Sequence, residues 1–281
     1  MKIIIICLML MLFGCNAQPN TSNQPNTQNN STTETINETV NQTIEEDEEK
    51  VFLLIEEQYY VNGILNDNLY FHYDDLGRLI AEDSYAGNLE YTYIGDTDKV
   101  RLMMSDWIIY SYEYDNLGRL KSMIGTYEEG EVYSETKYKY HGDLIIEEYS
   151  YYPFSNSTEI VSYKYEDGLL ISKNYESIMN DTYDVYSSLE VYSYGGEIEK
   201  PATIEVYYLG YLLSNIYRHH YKNGLLIKKE IIDFDYDTGN LSYYSYLEYE
   251  YDEYGNLISE KYCYEGECST EIKYIYEEFK K

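Results

Sequence analysis

One short pattern governs residues 51–281. Phe71-His72-Tyr73-Asp74-Asp75-Leu76-Gly77-Arg78-Leu79 returns as Tyr112-Glu113-Tyr114-Asp115-Asn116-Leu117-Gly118-Arg119-Leu120, and again as Tyr249-Glu250-Tyr251-Asp252-Glu253-Tyr254-Gly255-Asn256-Leu257. Shorter-turned copies are Tyr163-Lys164-Tyr165-Glu166-Asp167-Gly168-Leu169 and His219-His220-Tyr221-Lys222-Asn223-Gly224-Leu225, and Tyr138 to Leu144 is a degenerate one. Tyr-x-Tyr pairs at Tyr91/Tyr93, Tyr192/Tyr194 and Tyr274/Tyr276 fill the gaps. The second tyrosines fall at 73, 93, 114, 140, 165, 194, 221, 251 and 276, separated by 20 to 30 residues. Nine ordered units at such spacing mean a repeat architecture.

Each unit has a direct physical reading. Tyr-x-Tyr alternation puts both rings on one face of a strand, with Lys, Glu or His between them on the other. The Asp or Asn and the Gly that follow are turn chemistry, because Asp accepts local backbone hydrogen bonds and Gly takes a positive φ. The Leu after the turn begins a returning strand and packs beside the tyrosines. Each unit is therefore a hairpin or two strands of a meander, and stacked hairpins bury a continuous Tyr/Leu stripe that one hairpin cannot. The expected fold is all-β: antiparallel hairpin repeats forming an elongated, twisted or spiralling Tyr-rich sheet. Val51 to Ile55, with Tyr59-Tyr60, reads as a capping strand, and Glu277 to Lys281 as a frayed, charged end. Tyrosine suits such a sheet because it buries a large ring while keeping a polar tip hydrated.

All 40 tyrosines lie within this array; residues 1–50 have none. The chain opens Met1-Lys2, followed by an apolar run from Ile3 to Phe13, too short to cross a hydrocarbon core of about 30 Å but suited to a signal-peptide core. It ends Leu12-Phe13-Gly14-Cys15, which resembles the lipobox of bacterial lipoproteins. That resemblance implies a signal peptide at 1–14, cleavage before Cys15 and acylation of Cys15. An ordinary secretory signal with a chance cysteine is the alternative. Asn16 after the cysteine favours the outer membrane or cell surface in a double-membrane bacterium. Residues 15–50 read as the lipid anchor and a disordered Asn/Thr/Glu-rich tether, since they hold no aromatic residue and little apolar surface to offset ordering entropy. Fully extended, the tether reaches about 120 Å. The third region, 51–281, is the repeat domain. With 51 acidic and 20 basic residues the net charge is −31, which excludes the counterion-releasing chemistry of nucleic-acid binding and docking on anionic headgroups.

Tyr-x-Tyr-Asp-x-x-Gly-Arg-Leu, matched at 71–79 (with Phe for the first Tyr) and at 112–120, is similar to the YD repeat of the Rhs family. The shorter Asp-Gly-Leu and Asn-Gly-Leu copies suit a MORN-like hairpin repeat equally. The YD resemblance implies a spiralling antiparallel sheet, which in large Rhs and teneurin-like proteins forms a shell around a toxin or an adhesive surface. Nine irregular units are too few to close a large cavity, and no toxin domain or self-cleavage segment follows Tyr276. An open, curved sheet is expected.

Candidate chemistry is sparse. Cys263 and Cys268 flank Tyr264-Glu265-Gly266-Glu267. With Glu265-Gly266 as a two-residue turn they face each other about 4.5 Å apart, which favours a disulfide stapling the last hairpin; a three-residue bulged turn would spoil that geometry. His72, His141, His219 and His220 read as structural: His219 and His220 point to opposite faces, and His219 takes an aromatic repeat position. No Ser-His-Asp, Cys-His or zinc-type set can be assembled, so no catalytic, metal or cofactor residue is assigned. Asp74, Asp115 and Asp252 read as turn formers, with weak Ca²⁺ binding at Asp74-Asp75 as the alternative. Arg78 and Arg119 are expected over neighbouring tyrosines or paired with acids. Trp107 is expected to face away from the tyrosine stripe in ordinary packing, with stacking on a sugar as the alternative.

The reading that follows is a lipid-anchored envelope protein, not an enzyme, displaying a binding or adhesion module for glycan or protein. A structural spacer without a ligand is the second reading, and a polysaccharide-acting enzyme with a convergent carboxylate pair the third.

Overall fold

The computed structural model describes residues 50–281 apart from 86, 180, 181, 183, 196–199, 210, 211, 236, 237, 280 and 281. The expected signal peptide, Cys15 and the tether up to residue 49 lie outside the described residues.

Eighteen strands follow one another. The odd-numbered ones are β1 (Val51–Val61), β3 (Leu79–Ser84), β5 (Val100–Ser105), β7 (Leu120–Tyr127), β9 (Leu144–Tyr152), β11 (Leu169–Met179), β13 (Pro201–Tyr208), β15 (Leu225–Phe234) and β17 (Leu257–Tyr264). The even-numbered ones are β2 (Ile64–Tyr73), β4 (Gly87–Tyr93), β6 (Ile108–Tyr114), β8 (Val132–His141), β10 (Ser157–Glu166), β12 (Asp184–Tyr194), β14 (Leu212–Lys222), β16 (Leu241–Tyr251) and β18 (Glu267–Phe279). Each pairs antiparallel with its chain neighbours, and β1 also pairs with β18. The all-β hairpin meander is as the repeat implies, with each Tyr-x-Tyr or its variant on an even-numbered strand.

The sheet is closed, however, not open. The reason lies at the second tyrosine of every unit, where the register slips by one residue: at Tyr73, Tyr93, Tyr114, Tyr140, Tyr165, Tyr194, Tyr221, Tyr251 and, against β1, Tyr276. The extra residues include Ile55, Ile80, Lys121, Ile146, Ile227 and Ile258. A bulge bends its strand and adds twist, and these nine, with further slips at Tyr60, Tyr207, Phe234, Cys263 and Thr126, coil the sheet until its two edges meet. Closure removes both edges, which would otherwise template aggregation. Val51–Ile55 is therefore no cap. With Tyr59 and Tyr60 it belongs to the closing strand, paired to β2 on one side and β18 on the other. Nor is the end frayed as far as Phe279, which pairs with Val51.

Following the register around the sheet, Tyr73, Tyr91, Tyr93, Tyr112, Tyr114, Tyr138 and their equivalents share one face. It is the more enclosed of the two. Here Lys229 of β15 senses Glu190 of β12, three strands away, and Glu57 of β1 senses Glu82 of β3 and Glu260 of β17. Only side chains converging toward an axis come that close, so the tyrosine face is the inner one. Small residues make room for the rings: Ser134, Thr136, Ser157 and Ser245 are buried on this face, and a Cβ on Gly125 would stand 2.9 Å from Tyr110 Cε1. The outer face carries charges in pairs, among them Lys137–Glu135 at 2.8 Å and Lys261–Glu250 at 2.7 Å.

Seven of the second tyrosines donate their phenol O–H to a main-chain carbonyl of the preceding strand. They are Tyr73 to Leu54, Tyr93 to Leu79, Tyr114 to Val100, Tyr140 to Leu120, Tyr194 to Leu170, Tyr221 to Pro201 and Tyr251 to Leu226, at 2.6–3.2 Å.

Candidate functional site

Antiparallel order gives the barrel two unlike rims. The turns after even-numbered strands carry the Asp-x-x-Gly motifs and gather at one rim, together with the start of β1 and the end of β18. The turns after odd-numbered strands gather at the other.

The motif turns are structural, as their residues suggest. Asp74 Oδ1 accepts the N–H groups of Leu76 and Arg78, each at 2.9 Å. Its Oδ2 takes both Arg78 Nε and a second guanidinium nitrogen at 2.7 Å. Asp115 and Arg119 repeat the arrangement, and Asp252 does so with Asn256. The Arg78 side-chain hydrogen bond, with a backbone one from the same residue, holds the Asp74 carboxyl below its ordinary range. Arg78 also lies over the Tyr93 ring at 4.6 Å, and Arg119 over Tyr140 at 4.5 Å. The two expectations for these arginines hold together. Lys99 over Tyr114 and Lys200 over Tyr221 occupy the equivalent place.

The histidines are scattered. His72 pairs with Asp83 at 2.9 Å and His220 with Glu230 at 3.4 Å, both on the outer face, while His141 is exposed at the end of β8. His219 stands on the inner face, its Nδ1 buried without a partner among the described residues. Burial, then Lys229 and His220, lower its pKa. Cys263 and Cys268 are joined in a disulfide across the Glu265-Gly266 turn, where both turn residues have positive φ. Their sulfurs lie with a Glu248 carboxylate oxygen within 4.8 Å, but a disulfide leaves no thiolate for a metal.

The inner face is rich in carboxylates. Tyr91 donates to Glu82 at 2.6 Å, Tyr163 to Glu148 at 2.7 Å and Tyr152 to Glu159 at 3.1 Å, and Tyr192 donates to Glu190. Burial, then Glu82 and Glu260, raise the pKa of Glu57; burial raises that of Glu260, against the pull of Lys229.

The rim opposite the motif turns is where the sequence reading misses most. Tyr85, Trp107 and Phe154 stand at the tips of the β3–β4, β5–β6 and β9–β10 hairpins, 97%, 77% and 92% exposed. Trp107 is thus a turn residue, and ordinary packing is excluded for it. Strand alternation carries to Trp107 only if it lies within a strand, and the Ser-Asp-Trp tip ends β5 instead. The signal for the tip is Ser105-Asp106, since Ser hydroxyls and Asp carboxylates favour turns.

Two of these tips are built alike. Ser84 Oγ donates to the Gly87 carbonyl at 3.0 Å, and Ser105 Oγ to the Ile108 carbonyl at 3.1 Å. Between them lies a cavity of about 230 Å³, lined by Gly87, Asn88, Leu89, Asp106 and Trp107 with the two serines. Asp106 reaches over the β3–β4 tip: a Cβ on Gly87, whose φ is +142°, would stand 2.9 Å from Asp106 Oδ2. Neither the Asn88 amide nor the Asp106 carboxylate makes a side-chain hydrogen bond among the described residues.

No protein-family model matches the chain, and no curated protein matches it. Among solved structures, the chain is similar to a porin-like protein of Bacteroides vulgatus, at 13% identity over 80% of this chain and 98% of that one, TM-score 0.47. A porin-like protein of Bacteroides uniformis is similar at 12% identity over 79% and 96%, TM-score 0.43. A chain of the Photorhabdus luminescens Tc holotoxin pore is similar at 10% identity over 78% of this chain and 18% of that one, TM-score 0.25. At these scores none of the three bears on function.

Proposed function

We propose that the chain is an envelope lipoprotein, anchored through Cys15, that presents the aromatic rim of its barrel to a glycan or protein. The observation that carries this reading is the polarity of the barrel. Residue 50 and the start of β1 lie at the motif-turn rim, and Tyr85, Trp107 and Phe154 lie at the other. The exposed rings thus lie at the rim opposite the one where the chain enters the barrel. Rings this exposed gain little for the fold, whereas Tyr and Trp supply large contact area at low entropic cost in recognition.

The barrel wall itself stands in water on this reading. A membrane-spanning barrel needs an outward apolar band about 25 Å tall, and Lys there costs roughly 2–4 kcal/mol at the midplane. The outer face instead carries Lys137–Glu135, Lys261–Glu250 and Lys273–Glu271 along its strands. The reading assigns binding rather than catalysis, and four inner carboxylates, Glu82, Glu148, Glu159 and Glu190, are already occupied by tyrosine hydroxyls.

Two measurements test it. Cys15→Ser should release the protein from the membrane fraction, and retention would refute the anchor. Envelope glycans or proteins captured by the full chain should be lost when Tyr85, Trp107 and Phe154 are all changed to Ala. Capture unaffected by that change would place binding elsewhere.

A further inference from the structure

We infer that the cavity between the β3–β4 and β5–β6 tips binds an uncharged saccharide, stacked on Trp107 and held by Asp106 and Asn88. This deepens the reading of the rim as a binding surface and rests on it.

Three features of the cavity select the ligand class. The first is an indole 77% exposed beside a concave wall. The negative face of an aromatic ring attracts partial positive charge, which the C–H groups on one side of a pyranose present. The second is the pair of polar groups beside it. The Asp106 carboxylate accepts hydrogen bonds, while the Asn88 amide both donates and accepts. Neither is occupied within the described structure. Sugar hydroxyls, which donate and accept in turn, match that set, whereas an aliphatic or aromatic ligand would cover both groups and give them no partner. The third is size. A cavity of about 230 Å³ lies below the usual range of drug-sized sites, about 300–1,000 Å³. It admits one sugar ring, with the rest of an oligosaccharide running along the rim past Tyr85.

Charge narrows the class further. At −31 overall, with Asp106 in the cavity, the protein repels uronates, sulfated glycans and phosphate-bearing polymers. The β5–β6 tip is also pre-shaped. Ser105 Oγ fixes the β5–β6 tip by accepting the N–H of Ile108 at 3.0 Å as well as donating across it, which lowers the ordering cost of binding.

Trp107 is the chain's single tryptophan, so its emission reports on this cavity alone. The test titrates the detergent-solubilised full chain with cellohexaose, maltohexaose, mannohexaose and chitohexaose, followed by tryptophan emission and by calorimetry. At least one hexasaccharide should give a saturable emission change. Trp107→Ala and Asp106→Asn should each weaken calorimetric binding at least tenfold with an unchanged melting temperature, and Tyr254→Ala, at the opposite rim, should leave it intact. Saturable binding that both cavity variants retain would overturn the site while leaving the binding-module reading in place. Blank titrations with all four sugars, alongside capture of an envelope protein by the same chain, would overturn the saccharide assignment alone. Blanks in both would overturn the two readings together.

Discussion

The phenol of Tyr93 donates to the main-chain carbonyl of Leu79 at 2.6 Å. Leu79 lies two residues before Ala81, where pairing with β4 begins, so its carbonyl is out of reach of the ladder. The same offset holds for the other six acceptors: Leu54, Val100, Leu120, Leu170, Pro201 and Leu226 each lie two residues before the first residue paired with the next strand. The bulge that closes the barrel leaves a carbonyl without a strand partner, and the next unit's tyrosine supplies the donor. No aliphatic residue can do this, which explains why the repeat uses tyrosine at its second position. Tyr93→Phe keeps the ring and strands the carbonyl, so it should cost about 1–3 kcal/mol. Tyr149→Phe, on the outer face, should stay within about 0.5 kcal/mol. Urea denaturation of both variants checks this, and equal costs would refute the role of the phenol.

Arg78 holds the same tyrosine by its face. It is tied to Asp74 by two of its nitrogens, donates to the carbonyls of Gly95 and Thr97 at 2.8 Å, and lies over Tyr93. One planar cation thereby links a motif turn to the next hairpin. Lysine keeps the charge but not the fork or the stacking, so Arg78→Lys should destabilise by about 1 kcal/mol despite conserving charge. In a double-mutant cycle, Arg78→Ala and Tyr93→Leu should couple by roughly 0.5–1 kcal/mol. Additive effects would show that the stacking contributes nothing.

Much of this was legible in the residues. Tyr-x-Tyr alternation and Asp-x-x-Gly turns identify nine hairpins, and each turn aspartate does what its chemistry suggests. Closure was not legible from counting units, because it depends on where the register slips. The trace of those slips is the doubled apolar residue after the turn, as in Leu79-Ile80, Ile145-Ile146, Leu226-Ile227 and Leu257-Ile258. Two apolar neighbours break strict alternation and mark an extra residue on one strand. The aromatic rim was hidden for a different reason: Tyr85, Trp107 and Phe154 lie in the turns between repeats, where nothing recurs to align them. Cys15 and the tether fall outside the described residues, so the sequence alone speaks for them.

Two inner carboxylates, Glu57 and Glu260, set the acid behaviour of the barrel. Burial, then Glu82 and Glu260, raise the Glu57 pKa above its ordinary 4.5, and burial raises that of Glu260. The folded state then holds protons that the unfolded chain releases, so stability falls as pH rises from 4.5 through the raised values. Glu57→Gln removes the charge without the volume. It should raise the melting temperature at pH 7 by roughly 2 °C, with the gain vanishing near pH 4, where the wild-type carboxyl is protonated. Melting curves across that interval decide the matter; a gain independent of pH would point to packing instead.

The alkaline limit should come from the tyrosines. Burial, then Glu82, pushes the Tyr73 phenol up to about 12, and burial, then Tyr114, does the same for Tyr112. Unfolded tyrosine ionises near pH 10. Above that pH the unfolded chain gives up protons that the barrel retains, so stability is intact below pH 10 and declines as pH climbs toward 12. Tyr91, Tyr138, Tyr163 and Tyr274 are raised further still, chiefly by burial, so their contributions begin to be lost in the same window and continue to be lost above it. Once the barrel opens, all of them ionise together. Absorbance at 295 nm should therefore rise in one steep step above pH 10, coincident with loss of the β-sheet circular dichroism signal. A shallow titration spread over several pH units, with the sheet signal preserved, would show that the inner rings are open to hydroxide in the folded barrel.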